Sequence, residues 1–236
     1  MKIAIIGYGK MGRAVEQLAT RAGHQVVLRV NETPTHAQLM DSKTQVAIEF
    51  SKPEVAHRNI VALLRSNIPV VSGTTGWLDH MQDVIERVEM YNGTFLYASN
   101  FSLGVNLYLE IIQQAARIMK DQSLYDLKIE EIHHTQKKDA PSGTAISMAQ
   151  RIFLESSYEF WVSGATTQKN RTIPIQSKRE EDIPGTHLLT YGSEIDSIEI
   201  KHTAYSREGF ALGALRAAEY IYGKRGIFTM RDVLGF

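Results

Sequence analysis

Apolar positions in the first hundred residues switch repeatedly between two spacings. Residues 3–6 form a short unbroken apolar run, as expected of a strand covered on both faces. Met11, Val15, Leu18, Ala19 and Ala22 then recur at helical intervals until Gly23 stops the helix. Residues 26–30 and 46–50 supply a second and a third strand, and Ser51 followed by Pro53 suits a helix start. Two more strands follow at 68–71 and 95–98, with a helical stretch over about 78–90 between them. Strand and helix in alternation predict an α/β fold with a Rossmann-like, doubly wound parallel sheet, whose ligands sit beyond the carboxyl ends of the strands.

Beyond Asn100 that alternation ends. The pattern predicts a long helix over 105–119, a strand over 124–132 and a short helix from Ser142. Three strand-like runs follow at 172–176, 187–191 and 195–204, while 155–171 and 177–185 are polar and read as loops. Strands no longer interleaved with helices imply a second, α+β domain on an open, mixed or largely antiparallel sheet. In the tail, Ala211, Ala214, Leu215, Ala218 and Tyr222 share one helical face, so that helix is packed.

Bulk properties narrow the function classes. A chain of 236 residues can bury a core without staples, and the absence of cysteine excludes disulfide and thiolate chemistry. The 26 basic and 26 acidic residues balance, so no global field draws the chain to nucleic acid or an anionic membrane. The opening apolar run breaks at Gly7, too early for a signal peptide, and no later run is long enough to span a bilayer. A soluble cytoplasmic protein is expected.

Chemistry enters first at Gly7-Tyr8-Gly9-Lys10-Met11-Gly12, a G-x-G-x-x-G between a strand and a helix. The first glycine permits the tight turn, the second lets a pyrophosphate approach, and the third brings helix and strand together. The helix start offers unbonded amides to phosphate, so a dinucleotide is expected. Asn31, with Glu32 beside it, stands where an acid commonly holds the ribose of NAD. Asn does not repel a 2′-phosphate, and Arg29 reaches one if it points that way, so NADH and NADPH both stay open. Gly73-Thr74-Thr75 and Ala98-Ser99-Asn100-Phe101 follow the fourth and fifth strands and belong at the same edge, bordering the nicotinamide.

The second chemical segment is His133-His134-Thr135-Gln136-Lys137-Lys138, followed by Pro141-Ser142-Gly143-Thr144 opening a helix. Adjacent residues on a strand point to opposite sides, so the two histidines do different jobs unless the chain turns. Helix-start amides and the Ser142 hydroxyl make a carboxylate site, and lysine adds a point charge. No Asp, Glu or further His recurs nearby at a ligand spacing, so no metal is expected.

The run His133-His134-x-x-Lys137-x-Asp139-Ala140-Pro141-Ser142-Gly143-Thr144-Ala145 resembles the most diagnostic motif of the dihydrodipicolinate reductase family. The glycine loop, Gly73-Thr74-Thr75, Ala98 to Ser102, and Ser206-Arg207-x-x-Phe210-Ala211-x-Gly213-Ala214 match in the same order, over nearly the whole chain. The resemblance implies NADH- or NADPH-dependent reduction of the cyclic imine derived from 4-hydroxy-tetrahydrodipicolinate, in diaminopimelate and lysine synthesis. Hydride goes to ring C4 and a proton to the adjacent carbon. It implies His133 as general acid, Lys137 as second proton donor, and His134, Ser142, Gly143 and Thr144 as contacts to a small dicarboxylate. The implied architecture is a dinucleotide-binding domain over 1–102, completed by 207–236. A substrate and oligomerisation domain is inserted over 103–206 and builds a homotetramer, and hinges near 101–104 and 206–207 close the domains. Gly185-Thr186-His187 matches a Gly-Glu-His of relatives only loosely and receives no role. A catalytically silent dinucleotide-binding regulator is the competing reading, and another small dehydrogenase a third. The regulator has no use for a proton donor beside a carboxylate pocket, and the dehydrogenase gives no reason for the His-His-Lys segment.

Overall fold

Alternate side chains of a single strand serve two cores. Along β1 (Lys2–Ile6), Ile3 and Ile5 enter one layer and Ala4 and Ile6 the other, and all four are fully buried. β3 (Val46–Glu49) repeats the pattern, which is why such strands read as continuous apolar runs. In the computed structural model, which describes residues 1–166, 170–206 and 208–236, these strands belong to the first of two compact units. That unit comprises Met1–Leu103 and Glu208–Phe236, and the second comprises Gly104–Arg207. Arg207, expected at a hinge, and residues 167–169 lie outside the described residues.

The first unit is the expected doubly wound sheet. β2 (Gln25–Val30), β1, β3, β4 (Val70–Ser72), β5 (Thr94–Tyr97) and β11 (Gly226–Phe228) lie side by side in that order, all parallel. The order reverses at β1, so the crevice beyond its carboxyl end, at Gly7, is where a ligand fits. α1 (Lys10–Arg21) and the tail helix α7 (Glu208–Ile221) cover one face. α3 (Pro53–Arg65) and α4 (Met81–Met90) cover the other. The apolar face of the tail thus packs on this sheet, through Ala211, Ala214, Leu215, Ala218 and Ile221. Three short elements went unread: α2 (His36–Asp41), β11 and α8 (Met230–Leu234). Each is too short to show a period, and their signals are the capping boxes Thr35/Gln38 and Thr229/Asp232.

The second unit carries a mixed sheet ordered β10-β9-β6-β8-β7. β9 (Gly185–Gly192) is antiparallel to β10 (Ser197–Ala204) and to β6 (Asp126–His133). β8 (Thr172–Arg179) is parallel to β6 and to β7 (Phe160–Ser163). α5 (Leu103–Met119) and α6 (Gly143–Phe153) pack on one face through Tyr108, Ile112, Met148 and Ile152, against Ile129, Ile175 and Leu189. β7 lies inside the segment expected as loop, because Phe160 and Trp161 are exposed on an edge and show neither alternation nor a buried run. β8 also runs three residues further than expected, through Ser177-Lys178-Arg179. A polar strand end imitates a loop. Among the described residues no helix is long and apolar enough to cross a membrane.

Candidate active site

At the end of β1 the three glycines divide their work as steric limits dictate. Gly7 has φ +94°, and a Cβ there would stand 2.0 Å from the Phe50 carbonyl oxygen. A Cβ at Gly12 would meet the Gly7 carbonyl at 2.4 Å, so helix and turn could not close with a larger residue. Gly9 differs: it is exposed, nothing lies within 4 Å of its would-be Cβ, and it precedes α1 without a side-chain cap. That open approach to a helix start fits a pyrophosphate. Asn31 Oδ1 accepts the Tyr8 N–H at 2.7 Å, which fixes the strand end to the loop and leaves the side-chain amide as a donor. Lys10 is exposed at the helix start and Met11 packs against the core behind it. Arg29 does not reach out: its Nε donates to Glu16 at 2.8 Å, and Tyr8 Oη donates to the same carboxylate.

The loops after β3 and β4 are tied together by a residue the sequence reading passed over. Glu49, at the end of β3, is fully buried. It accepts the Ser72 hydroxyl at 2.7 Å, the Thr74 hydroxyl at 3.0 Å, the Ser51 N–H at 3.0 Å and the Ser51 hydroxyl. Ser51 serves this network and not the helix, whose N-cap is Lys52. Gly73 lies against the Phe50 ring, where a Cβ would come within 2.0 Å, while Thr75 is exposed. In the loop after β5, Ser99 is exposed, Asn100 Oδ1 accepts the Ser102 N–H at 2.9 Å, and Ala98 N–H donates to Ser72 at 3.3 Å. Phe101 is buried, with its carbonyl pressed so closely on Gly213 that a Cβ there would sit at 1.7 Å. The residues expected to hold a dinucleotide thus converge on one edge of the first sheet.

In the second unit, strand register sets the chemistry. Ile175, Ile129, Leu189 and Ile200 stand abreast across β8, β6, β9 and β10 and face the helices. Two residues along, the matching row is Ser177, Glu131, His187 and His202. One step further, Arg179 pairs with His133, and Gly185 lies beside the His133 ring. The sheet face therefore turns from apolar to ionisable at the mouth of α6. His133 and His187 meet edge to face at 5.0 Å between ring centroids, and His187 and His202 follow at 6.5 Å.

Glu131 organises this row. It is fully buried, takes the Ser142 N–H on both oxygens at 3.0 and 3.1 Å, and accepts the Ser177 hydroxyl at 2.7 Å. The Ser142 hydroxyl accepts the Ala145 N–H at 3.2 Å as the helix cap and touches His187 Nε2 at 3.2 Å. This corrects the expected amide cradle: the Ser142 N–H is committed to Glu131, and Gly143 and Thr144 are the first-turn amides that no intrahelical carbonyl reaches. Gly143 is exposed, with nothing near its would-be Cβ.

The expected acid and lysine occupy this corner. His133 is buried, 6% exposed, with Nδ1 3.4 Å from Glu131 Oε2. Lys137 is half-buried and donates to both oxygens of Asp139 at 2.9 Å. Arg179 holds their loop, donating to the carbonyls of Asp139 at 2.6 Å and Lys137 at 3.3 Å. His134 departs from this group and lines a cleft of about 480 Å³ with Thr135, Gln136, Glu181, Asp182 and Ser206. Two carboxylates in that wall make the cleft itself a poor dicarboxylate site.

Burial pushes His133 below the ordinary imidazole range; Glu131 opposes this, and Lys137 and Arg179 add to it. Burial, reinforced by His133, pushes His187 down to about 3. Burial works against ionisation of Glu131 as well, but the bonds from Ser142 and Ser177 and the charge of His133 outweigh it and hold the carboxyl below its usual range. One donor group departs from expectation. Donor atoms of Glu131, His133 and His187 all lie within 4.8 Å of one another, a spacing open to a metal, with His187 supplied by the neighbouring strand β9. The chemistry does not fit one: both carboxylate oxygens already accept hydrogen bonds, and the Arg179 guanidinium sits 3.6 Å away.

Glu131, Ser177, Arg179 and His187 were all missed by the sequence reading. Gly185-Thr186-His187 carries no role by sequence, yet His187 supports the Ser142 cap, and a Cβ on Gly185 would meet His133 Nε2 at 3.1 Å. The usable signal was polar residues at alternate positions of otherwise apolar strands.

Known proteins match over both units. Residues 1–101 match the family model for dihydrodipicolinate reductase, N-terminus, and residues 104–234 that for dihydrodipicolinate reductase, C-terminus. A 4-hydroxy-tetrahydrodipicolinate reductase from Christiangramia forsetii is 48% identical over 99% of this chain and 98% of its own. One from Thermosipho africanus is 31% identical over the same shares. The dipicolinate-bound dihydrodipicolinate reductase from Paenisporosarcina sp. TG-14 superposes with a TM-score of 0.82 over 98% of both chains, at 22% identity, which shows the shared fold. Matched from Met1 to the last helix in both sequence and fold, the chain belongs to the dihydrodipicolinate reductase family.

Proposed function

We propose that this protein is a 4-hydroxy-tetrahydrodipicolinate reductase using NADH or NADPH, acting in the cytoplasm in diaminopimelate and lysine synthesis. The observation that carries the reading is the buried His133 beside Glu131, whose carboxylate also anchors Ser142 at the head of the unbonded amides of Gly143 and Thr144, with Lys137 in the loop between. When bound, the reduced nicotinamide supplies a hydride to ring C4. Gly143, Thr144 and Lys137 hold the substrate carboxylates, amides and ammonium each matching an anion, while His134, expected in the same role, lines the neighbouring cleft. His133 gives a proton to the carbon next to C4, and burial keeps water from competing for that site. A silent regulator would have no use for a desolvated imidazole against a buried carboxylate.

In the first unit, Gly7, Tyr8, Gly9, Lys10, Met11 and Gly12 receive the pyrophosphate, and Asn31 the adenosine ribose. Gly73, Thr74, Thr75, Ala98, Ser99, Asn100 and Phe101 border the nicotinamide. Asn31 bears no charge to repel a 2′-phosphate, and Arg29 is occupied by Glu16, so neither dinucleotide is strongly favoured. The face of the second sheet away from its helices carries Lys128, Glu130, Lys178 and Lys201, with Lys178 paired to Glu130 at 2.7 Å, and serves a homotetramer. Light scattering then gives four times the 26.5 kDa chain. The deciding experiment is loss of absorbance at 340 nm with enzymatically generated substrate and each cofactor in turn. Turnover with both, with kcat/KM values within about tenfold of each other, is expected. No oxidation of either cofactor removes the reductase reading.

A further inference from the structure

The roles assigned so far leave Glu131 unused, although it is the most firmly held side chain around His133. Its bonds from the Ser142 N–H and the Ser177 hydroxyl, with Arg179 at 3.6 Å, fix the carboxylate from three sides. The remaining direction points at His133, where Oε2 lies 3.4 Å from Nδ1. That Nδ1 is buried and makes no hydrogen bond. Among the described residues no hydrogen bond competes for it, and a slight turn of the ring closes the gap, as such bonds commonly tighten when ligand arrives. Nε2 lies on the opposite edge, against Gly185, the strand position that bears no side chain.

We propose that Glu131 is the positioning residue of the proton donor, holding the Nδ1–H of His133 so that Nε2 is the nitrogen that passes its proton to the substrate. The same carboxylate anchors Ser142, so the acid and the carboxylate-binding turn of α6 are set by one group. The inference rests on the reductase reading. In the step itself the Nε2–H bond breaks and a C–H bond forms at the carbon next to C4. The electron pair stays on Nε2, hydride from the cofactor supplies the other hydrogen, and water later reprotonates the ring.

Charge supports the assignment. His133 is faced by Glu131 on its own strand, Arg179 from β8, His187 from β9, and Lys137 and Asp139 from the loop. Burial and the two cations disfavour its protonated form, and Glu131 is the larger of the two opposing charges. His187 is held neutral by its own burial and cannot take that part.

The test uses the full chain labelled with 15N-histidine, reading the His133 tautomer and titration by two-bond 1H–15N correlation, beside the pH dependence of kcat. Neutral His133 is expected as the Nδ1–H tautomer. In Glu131→Gln its midpoint and the high-pH limb of kcat both move down by about one pH unit. The variant's loss of rate then reaches about tenfold at pH values above both midpoints and disappears below both. An unmoved midpoint with an even loss across pH overturns the proposal, since Glu131 would then only brace the helix start. An Nε2–H tautomer in the unsubstituted protein overturns it whether or not the variant folds. If the protein oxidises neither cofactor, the reductase reading fails by itself, and the tautomer and titration still decide the Glu131–His133 pairing.

Discussion

Two fully buried glutamates, one in each unit, solve the same structural problem with different neighbours. Glu49 ends β3, and Glu131 stands two residues before the end of β6. Each accepts a backbone amide and serine hydroxyls from segments that otherwise meet only at a strand end, which satisfies a carboxylate in the interior. Around Glu49 every partner is an amide or a hydroxyl, groups that do not titrate in the working range. Around Glu131 stand His133, His187 and Arg179. The first arrangement holds loops still; the second also governs where a proton resides. Burial of a polar group marks a scaffold in both cases, and the ionisable company it keeps separates scaffold from reaction centre.

The largest effect tests the reactive side of that contrast. His133→Gln keeps a polar, similarly sized side chain but cannot donate as an imidazolium, so kcat falls by about 10²–10⁴-fold. Dinucleotide affinity, measured by fluorescence titration, stays within about twofold, because the glycine loop belongs to the other unit. Parallel losses in both would remove His133 from the proton step. Lys137→Ala comes next. Loss of an ammonium from a carboxylate site lowers kcat/KM by about 10- to 100-fold, shared between kcat and KM. An unchanged variant would reduce the Lys137–Asp139 pair to a surface ornament of the loop.

Glu49→Gln probes the scaffold side. An amide cannot accept all the donors that Ser51, Ser72 and Thr74 aim at the carboxylate, so the loops after β3 and β4 loosen. Dinucleotide binding weakens by about tenfold and Tm falls, while the pH dependence of kcat keeps its midpoint. A moved midpoint would show that Glu49 shares the electrostatic role reserved here for Glu131.

How far this contrast was legible follows from what each residue looks like in sequence. The parallel sheet was readable because its central strands are buried on both faces and its helices are amphipathic. The glycine loop was readable because three steric limits fall at fixed intervals. His133 and Lys137 were found through adjacency in one run. Glu131 and His187 were not, because their association is a matter of register between β6 and β9, and register is invisible until strands pair. Ser177 and Arg179 were lost for a related reason: a strand end that turns polar to serve a site has the composition of a loop. Glu49 was hidden by its position in a run otherwise apolar, where a lone acid resembles the polar end of a strand.

The smallest expected effect is on stability, and it divides the two units by pH. Unfolded imidazole titrates near 6.5. Folded His187 is pushed down to about 3 by burial, and His133 and His202 are lowered as well. Below about pH 6.5 the unfolded chain therefore binds more protons than the folded one, and the stability present above that value drains away as pH falls towards the folded values. Glu131 acts in the same sense lower down, since its folded carboxyl titrates below the usual range and its contribution is lost as pH drops through it. All four groups lie in the second unit. Amide exchange followed between pH 7 and 5 should show protection in β6 and β9 falling by about 2 kcal/mol for His187 alone, from the linkage slope of one proton. β1 and β3, whose sheet end is satisfied by the hydroxyl network of Glu49, should hold. Equal losses in both sheets would mean that the imidazole row is open to protons in the folded state, and the distinction between the two carboxylates would shrink to geometry.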